Sequence, residues 1–520
     1  MTMNAKHAYV IRHFLGIMLA GSAFFCACQK GPTGMELMAE GYATTGKAEV
    51  SGESAYWVDG ETVRINGVDM TITVPAAGTS AYVSDVEHAD VYRALYPNTL
   101  NPSAMLDADQ VTVAIPRAYT YRVSNGHQAI DLPMAAYTTS GTRLLFKHLT
   151  AAVVVEVKND FGIDIQVDSI VVSSNSYQLS GSRDITLSSS IEVPACTTAT
   201  AADRRVAVRF NGGTTLTVAS GETKKVQVPV LPVGDGNKFT VTVATHNVGD
   251  AAMQYTFSRT QTTGGALSRA YVGYAPAKFG GVFSVAANKQ VRFSPGNLQY
   301  YCSTSSPQWR FAQHHYDVAA FAAAAYAENS GQWIDMFGFA NSGYSRRSPY
   351  LTSATAPPVS AISETSYDWG WYNAIANGGN VTGRWRTLSA DEWTYLIVNR
   401  NACVGLALVN SKRGMIIIPD NWAQPDNVTT FVSGVSGGYQ TNNYDAAAWA
   451  KMEVAGAVFL PFNGYRDGTI QKEYTTTGQY WTDKLESSKA KKLLINSSGE
   501  ALYDAQPAYG MSVRLVRDVQ

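Results

Sequence analysis

Between about residues 48 and 275, apolar and polar positions alternate in short runs. "VRINGVDMTITV" (63–74), "AAVVVEVKN" (151–159), "IQVDSIVVSS" (165–174), "KKVQVPVLPV" (224–233) and "KFTVTVATHN" (238–247) are rich in β-branched residues and punctuated by Gly, Asn, Asp and Ser. Period-two alternation places one face of a strand on a core and leaves the other wet, so these runs predict antiparallel sandwiches. No sustained helical period appears there. After about residue 288 the pattern changes. "KQVRFSPGNLQY" (289–300) reads as a strand and turn, and "RWRTLSADEWTYLIVNR" (384–400) feeds a strand-like start into a helix. In that helix Ser389 is the N-cap, Glu392 completes a capping box, and Trp393, Leu396 and Ile397 recur at helical spacing. "RGMIIIPDNW" (413–422), "GAVFLPFNGYRDG" (456–468), "GQYWTD" (478–483) and "YGMSVRLVRD" (509–518) are short strands between turns.

The opening of the chain follows another pattern. Lys6 and Arg12 precede "FLGIMLAGSAFF" (14–25), the charged-then-apolar layout of a secretory signal. The run is shorter than the roughly 20 apolar residues a membrane-spanning helix needs. It ends in Phe25-Cys26-Ala27-Cys28, which resembles a bacterial lipobox. That resemblance implies a signal peptide at 1–27, acylation of Cys28 and a leader at 28–47. A plain secretory signal is the alternative. Cleavage before Cys28 leaves Cys196, Cys302 and Cys403 as the other thiols, which form neither a disulfide framework nor a CxxC cage.

Composition narrows the function classes. Forty basic and 41 acidic residues in 520 give a net charge of -1, which removes the electrostatic argument for nucleic acid. Only Trp57 of the ten tryptophans precedes Trp309, so two architectures share the chain. "TQTTGGALSRAYVGYAPAKFGGVFSVAANK" lies between them, and its 276–287 portion reads as a linker.

"DVYRALYP" (90–97), "IDLPMAAYT" (130–138) and "LLFKHLTAAVVVEVKN" (144–159) resemble the fimbrillin-like lipoproteins of Bacteroidetes. The resemblance implies β-sandwich domains at 48–142 and 143–275. It also implies assembly with other fimbrial subunits by a donated strand, after proteolysis at Lys47 or Arg64 removes an N-terminal strand. The segments Arg386-Thr387-Leu388-Ser389-Ala390-Asp391-Glu392-Trp393 and Met511-Ser512-Val513-Arg514-Leu515-Val516 resemble the C-type-lectin-like module of formylglycine-generating and sulfatase-modifying proteins. That likeness implies an α+β domain at 288–520, for a mostly β multidomain chain. A fragment starting near 288 is expected to fold alone.

Chemistry in the C-terminal part is sparse. The modifying enzymes use two nearby cysteines, whereas this region has only Cys302 and Cys403, far apart in sequence, so no catalytic residue is expected. "GVSGG" (434–438) matches a nucleophile elbow, but the last histidine, His315, lies upstream of Ser436 instead of after it. Gln424-Pro425-Asp426 matches a calcium-and-sugar tripeptide without the accompanying ligands, and His314-His315 would point to opposite faces of a strand. No metal or cofactor is expected. Aromatic faces beside amides suit carbohydrate rings. The candidate ligand-binding residues are therefore Tyr344, Arg346 and Arg347 in the loop 340–368, Trp369 and Trp371, and Tyr439 and Tyr444. The expected protein is a lipid-anchored outer-membrane surface or fimbrial component, a tip adhesin that accepts a donor strand and binds a glycan or a surface protein. The alternatives are a glycan-capture lipoprotein that does not polymerise and a degenerate modifying enzyme.

Overall fold

The computed structural model describes residues 34–40, 43–44, 57, 59–75, 81–101, 108–124, 127–129, 132–140, 142–352, 355–400, 402–436 and 438–519. The signal segment, Cys26, Cys28 and Lys47 lie outside the described residues. The chain is mostly β. Among the described residues, no helix is long and apolar enough to cross a membrane.

The alternating runs became strands much as expected: Ala151–Asp160, Ile165–Ser174, Thr223–Val230 and Phe239–Asn247. The run at 63–74 is instead a hairpin of Thr62–Ile65 and Val68–Thr71. Its turn is Asn66-Gly67, both at positive φ (47° and 88°), the dipeptide a two-residue type I′ hairpin prefers.

One sheet runs in the order Val68–Thr71, Thr62–Ile65, Tyr92–Tyr96, Met134–Thr138, Arg143–His148, Met35–Ala39 and Ala81–Val83. Trp57 packs edge-on against Tyr96 and Phe146, at 5.1 and 5.2 Å, in the core beneath it. Two further sheets face each other across Val155, Ile170, Val208, Val228 and Val243, all fully buried. The first holds Thr223–Val230, Ala151–Asp160, Tyr271–Gly280 and Ala43–Thr44. The second holds Asp250–Thr260, Phe239–Asn247, Ile165–Ser174, Arg205–Arg209 and Ala118–Thr120.

Three features correct the expected division. The sheets are mixed: Met35–Ala39 runs parallel to Arg143–His148, and Ala151–Asp160 runs parallel to Tyr271–Gly280. The boundary at 142 cuts through the first sheet, because Arg143–His148 pairs inside it. Moreover Gln110–Ile115 pairs with Gly181–Leu187, so Leu95, Val113, Ile185 and Leu231 form a core shared by both halves. The linker expected at 276–287 is also structured. Tyr271–Gly280 lies inside one sheet, between Ala151–Asp160 and Ala43–Thr44, and Phe283–Ala286 opens the next by pairing with Lys289–Phe293. Phe283 and Val285 are 1% exposed, so a fragment beginning at 288 would lose part of its core.

In the C-terminal region a four-stranded sheet joins Phe283–Ala286, Lys289–Phe293, Leu515–Asp518 and Arg386–Thr387. The capping box forms as the sequence predicts: Glu392 N donates to Ser389 Oγ at 3.1 Å, and Ser389 N donates to Glu392 Oε2 at 2.9 Å. The helix Ala390–Thr394 continues into a wider turn, Tyr395–Asn399, and buries Trp393, Leu396 and Ile397. Arg386 donates to Glu392 at 2.7 and 2.8 Å and to Asp518 at 2.6 Å, tying the helix to two strands. The region is not separately packed. Arg384 pairs with Asp164 at 2.8 Å, and Asn247 donates to Asn377 O at 2.8 Å. Gly162 lies so close to Trp385 that a Cβ would stand 2.4 Å from the indole.

Candidate ligand-binding site

Two surfaces of the C-terminal region each gather several solvent-facing aromatic rings. The first is built on the turn Trp369–Tyr372, which starts at Asp368. The Asp368 carboxylate accepts from Thr387 N (2.8 Å), Thr387 Oγ1 (2.9 Å) and Gly370 N (3.3 Å), and burial pushes it up to about 6. Trp369 is fully buried, with Nε1 donating to Asn341 O at 3.0 Å. Two positions on, Trp371 is 37% exposed. Tyr344 meets Tyr367 edge-on at 5.1 Å and Tyr372 at 5.4 Å, giving a cluster of phenol rings with Arg346 exposed beside it.

Three expected ligand residues are therefore corrected. Trp369 and Tyr444 (1% exposed) are core residues, since their rings pack away from solvent. Arg347 is spent on its own loop, donating to the carbonyls of Phe339 (2.9 Å), Ala340 (3.2 Å) and Thr355 (3.0 Å). Arg347 thus pins the start of the loop 340–368, and of the expected ligand residues in this loop and the following turn Tyr344, Arg346 and Trp371 face solvent.

The second surface is a cleft of about 450 Å³ beside Tyr439. Its floor is Leu408, Pro461 and Phe462, and its rim carries Lys412, Arg413, Gln440 and Tyr474. The hairpin Val404–Val409 and Lys412–Ile417 places the basic pair through a tight turn with Asn410 and Ser411 at positive φ. Tyr439 sits edge-on to Phe462 at 5.7 Å, and the Arg413 guanidinium lies 5.1 Å from its ring centre. Burial pushes the Tyr439 hydroxyl up, opposed by Arg413. The sequence reading missed Arg413, Lys412 and Tyr474. The signal for the basic pair was available in "VNSKRG" (409–414), a hairpin turn whose return strand starts with two cations.

The remaining expected sites are elsewhere. Arg64 is 9% exposed on a paired strand and holds Asp69 through two bonds of 2.7 and 2.9 Å, so it is shielded from a protease in the folded chain. Gln424 is locked into its own loop, donating to Thr429 O at 3.0 Å and accepting from Phe431 N at 3.0 Å. His314 and His315 lie in a turn, not a strand. His315 Nδ1 accepts from Phe459 N at 3.0 Å, and its Nε2 stands 3.4 Å from Glu453 in the core. Cys302 is buried, which pushes its thiol up to about 11, and the Cys403 sulfur faces the Arg400 carbonyl at 3.2 Å.

No family model and no curated protein matches the chain. Among solved structures it is similar to a "putative cell adhesion protein" of Bacteroides fragilis, at 13% identity and a TM-score of 0.29, covering 54% of this chain and 97% of that one. A protein of the same description from Bacteroides ovatus matches at 11% identity and TM-score 0.26 over 47% of this chain and 91% of that one. One from Parabacteroides distasonis matches at 12% identity and TM-score 0.22, over 46% and 86%. Likenesses this distant carry no argument about what this chain binds, which rests on its residues.

Proposed function

We propose that this chain is a lipid-anchored surface adhesin of fimbrial type that occupies the tip of a fibre, with a lectin-like C-terminal module holding a glycan or protein ligand. The observation that supports this most is the place of the strand Leu515–Asp518. Leu515–Asp518 is hydrogen-bonded on one side to Lys289–Phe293 and on the other to Arg386–Thr387, and Leu515 and Val516 are fully buried. A strand held on both edges is not available for donation.

The other end of the chain suits an acceptor. Met35–Ala39 lies between Arg143–His148 and Ala81–Val83, with Met35 and Leu37 buried. Cleavage after Lys47 would release this strand and leave two unpaired edges, whose N–H and C=O groups another subunit's strand can satisfy. Glu40 holds the segment in place beforehand, bonded to Arg269 and accepting from His148 N at 2.7 Å. The lectin-like module presents the Tyr344 cluster and the Tyr439 cleft to ligands, and we assign it no enzymatic role. Immunogold labelling with antibody to 288–520, combined with crosslinking, tests the proposal. Label confined to fibre ends is the expected result. Label spaced along the shaft, or crosslinks from 515–518 into a neighbouring subunit, would refute it.

A further inference from the structure

The Tyr439 cleft has a charge character that the ligand-binding reading does not by itself require. None of its lining residues is acidic. Among the described residues, the ion pairs of the neighbouring surface, such as Lys472 with Asp467 at 2.6 Å, leave Lys412 and Arg413 out. The nearest sequence carboxylate, Glu473, is turned to Gln479 (2.7 Å) and Thr477 (3.0 Å). Arg413 is positioned from two sides. Its carbonyl accepts from Phe462 N at 2.8 Å, which fixes the backbone, and its guanidinium rests by the Tyr439 ring. A guanidinium held against a ring keeps its planar fork of N–H donors for an acid group, and less freedom is lost on binding. Tyr474, 43% exposed, stands on the same rim beside Gln440 and Thr475. An aromatic face, an amide and a hydroxyl around a guanidinium with no carboxylate partner among the described residues fit an acid-bearing sugar. The volume, about 450 Å³, falls in the usual range for small-ligand sites.

We propose that this cleft binds an acidic saccharide, its carboxylate or sulfate on Arg413 with Lys412 at the rim, and its ring against Tyr474. This rests on the reading of the C-terminal region as a ligand-binding module. The test uses the full chain, calorimetry and saturation-transfer NMR. The probes are digalacturonate with its neutral parent galactobiose, a sulfated disaccharide with its unsulfated parent, and hexaglutamate. The expected result is binding of an acidic saccharide about tenfold tighter than its parent, lost by about tenfold in Arg413→Gln and partly restored in Arg413→Lys. Which of the two acids binds identifies the source of the charge. Equal affinity for acidic and neutral sugars overturns the proposal. So does unchanged acid binding in Arg413→Gln, or hexaglutamate binding as tightly as the sugars. If neutral sugars bind and Tyr439→Ala abolishes this, the ligand-binding reading stands and only the acid preference falls. If none of these saccharides binds, this proposal falls and the ligand-binding reading stands only for a protein ligand.

Discussion

The sheets before residue 280 and the region after it bury different things. In the first, the core between the sheets is mostly aliphatic, with Tyr119, Tyr121, Phe239, Tyr255 and Phe279 among the valines and isoleucines, and the strands are long ladders such as Ala151–Asp160 with Tyr271–Gly280. In the second, the strands are short and the interior holds Asp335, Asp368, Arg386, Glu392, Glu453, Arg466 and Arg514 among buried tryptophans. Aliphatic burial is non-directional and tolerant of small changes, whereas a buried charge costs several kcal/mol unless each partner is in place. The comparison therefore teaches where each part is fragile: the sheets fail by losing volume, and the C-terminal region fails by losing a partner.

The sharpest way to break that contrast is Arg386→Ala. It removes the buried guanidinium that joins Glu392 to Asp518 at the meeting of helix and sheet, leaving buried Glu392 only Lys289 at 2.8 Å and Ser389 N. The expected loss is about 3–5 kcal/mol, read by urea unfolding followed through tryptophan fluorescence, which reports mainly this region. A loss below about 1 kcal/mol would mean the buried pairs do not hold the region together. Next in size is Gly162→Ala, where the new Cβ meets Trp385 at 2.4 Å and Phe293 O at 3.0 Å. Overpacking of this kind costs about 1–3 kcal/mol. Because the core is continuous across this junction, calorimetry should show the two regions losing their common transition as well as stability.

A different effect distinguishes the regions by pH. Burial raises Glu453 from 4.5 to about 8, so the folded state holds a proton that the unfolded state has released. Its stabilising contribution is complete below 4.5 and is lost as pH rises through about 8. Burial lowers His148 in the first part from 6.5 to about 4, with the opposite sign: that contribution is present above 6.5 and is lost as pH falls through about 4. Denaturation midpoints of Glu453→Gln, measured from pH 5 to 8, should fall less steeply than those of the parent chain. Identical slopes would remove Glu453 as the cause. The smallest effect is expected at Trp371→Ala, within about 0.5 kcal/mol because the side chain is exposed. Trp369→Ala, on the same turn, should cost about 3–5 kcal/mol. Equal losses at the two positions would contradict their assignment to surface and core.

The same contrast governs what was legible in the sequence. Alternation located Ile165–Ser174 to the residue, because each strand face answers to one local rule. The capping box at Ser389 and Glu392 was equally local. The pairing of Gln110–Ile115 with Gly181–Leu187 was not, since nothing within either strand names a partner so distant. "GGYQTNNYDAAAW" (437–449) shows the limit at the candidate site. Tyr439 and Tyr444 look alike among amides, but Tyr444 joins a strand beside Val404–Val409 and is buried, while Tyr439 sits on a turn at the cleft. Arg347 was misread for a similar reason: its three carbonyl partners come from a loop whose shape no spacing rule gives.

The central placement of Leu515–Asp518 also sets a timetable for biosynthesis. Val291 pairs with Asp518, and Arg386 with Val516. Chain elongation at about 5–20 residues per second means that Lys289–Phe293 emerges roughly 10–45 s before the strand that completes its sheet. Over that interval an apolar edge has no partner, which is the condition under which nascent chains aggregate or recruit a chaperone. The sheet that holds Lys289–Phe293 thus matures only after the whole intervening chain has emerged.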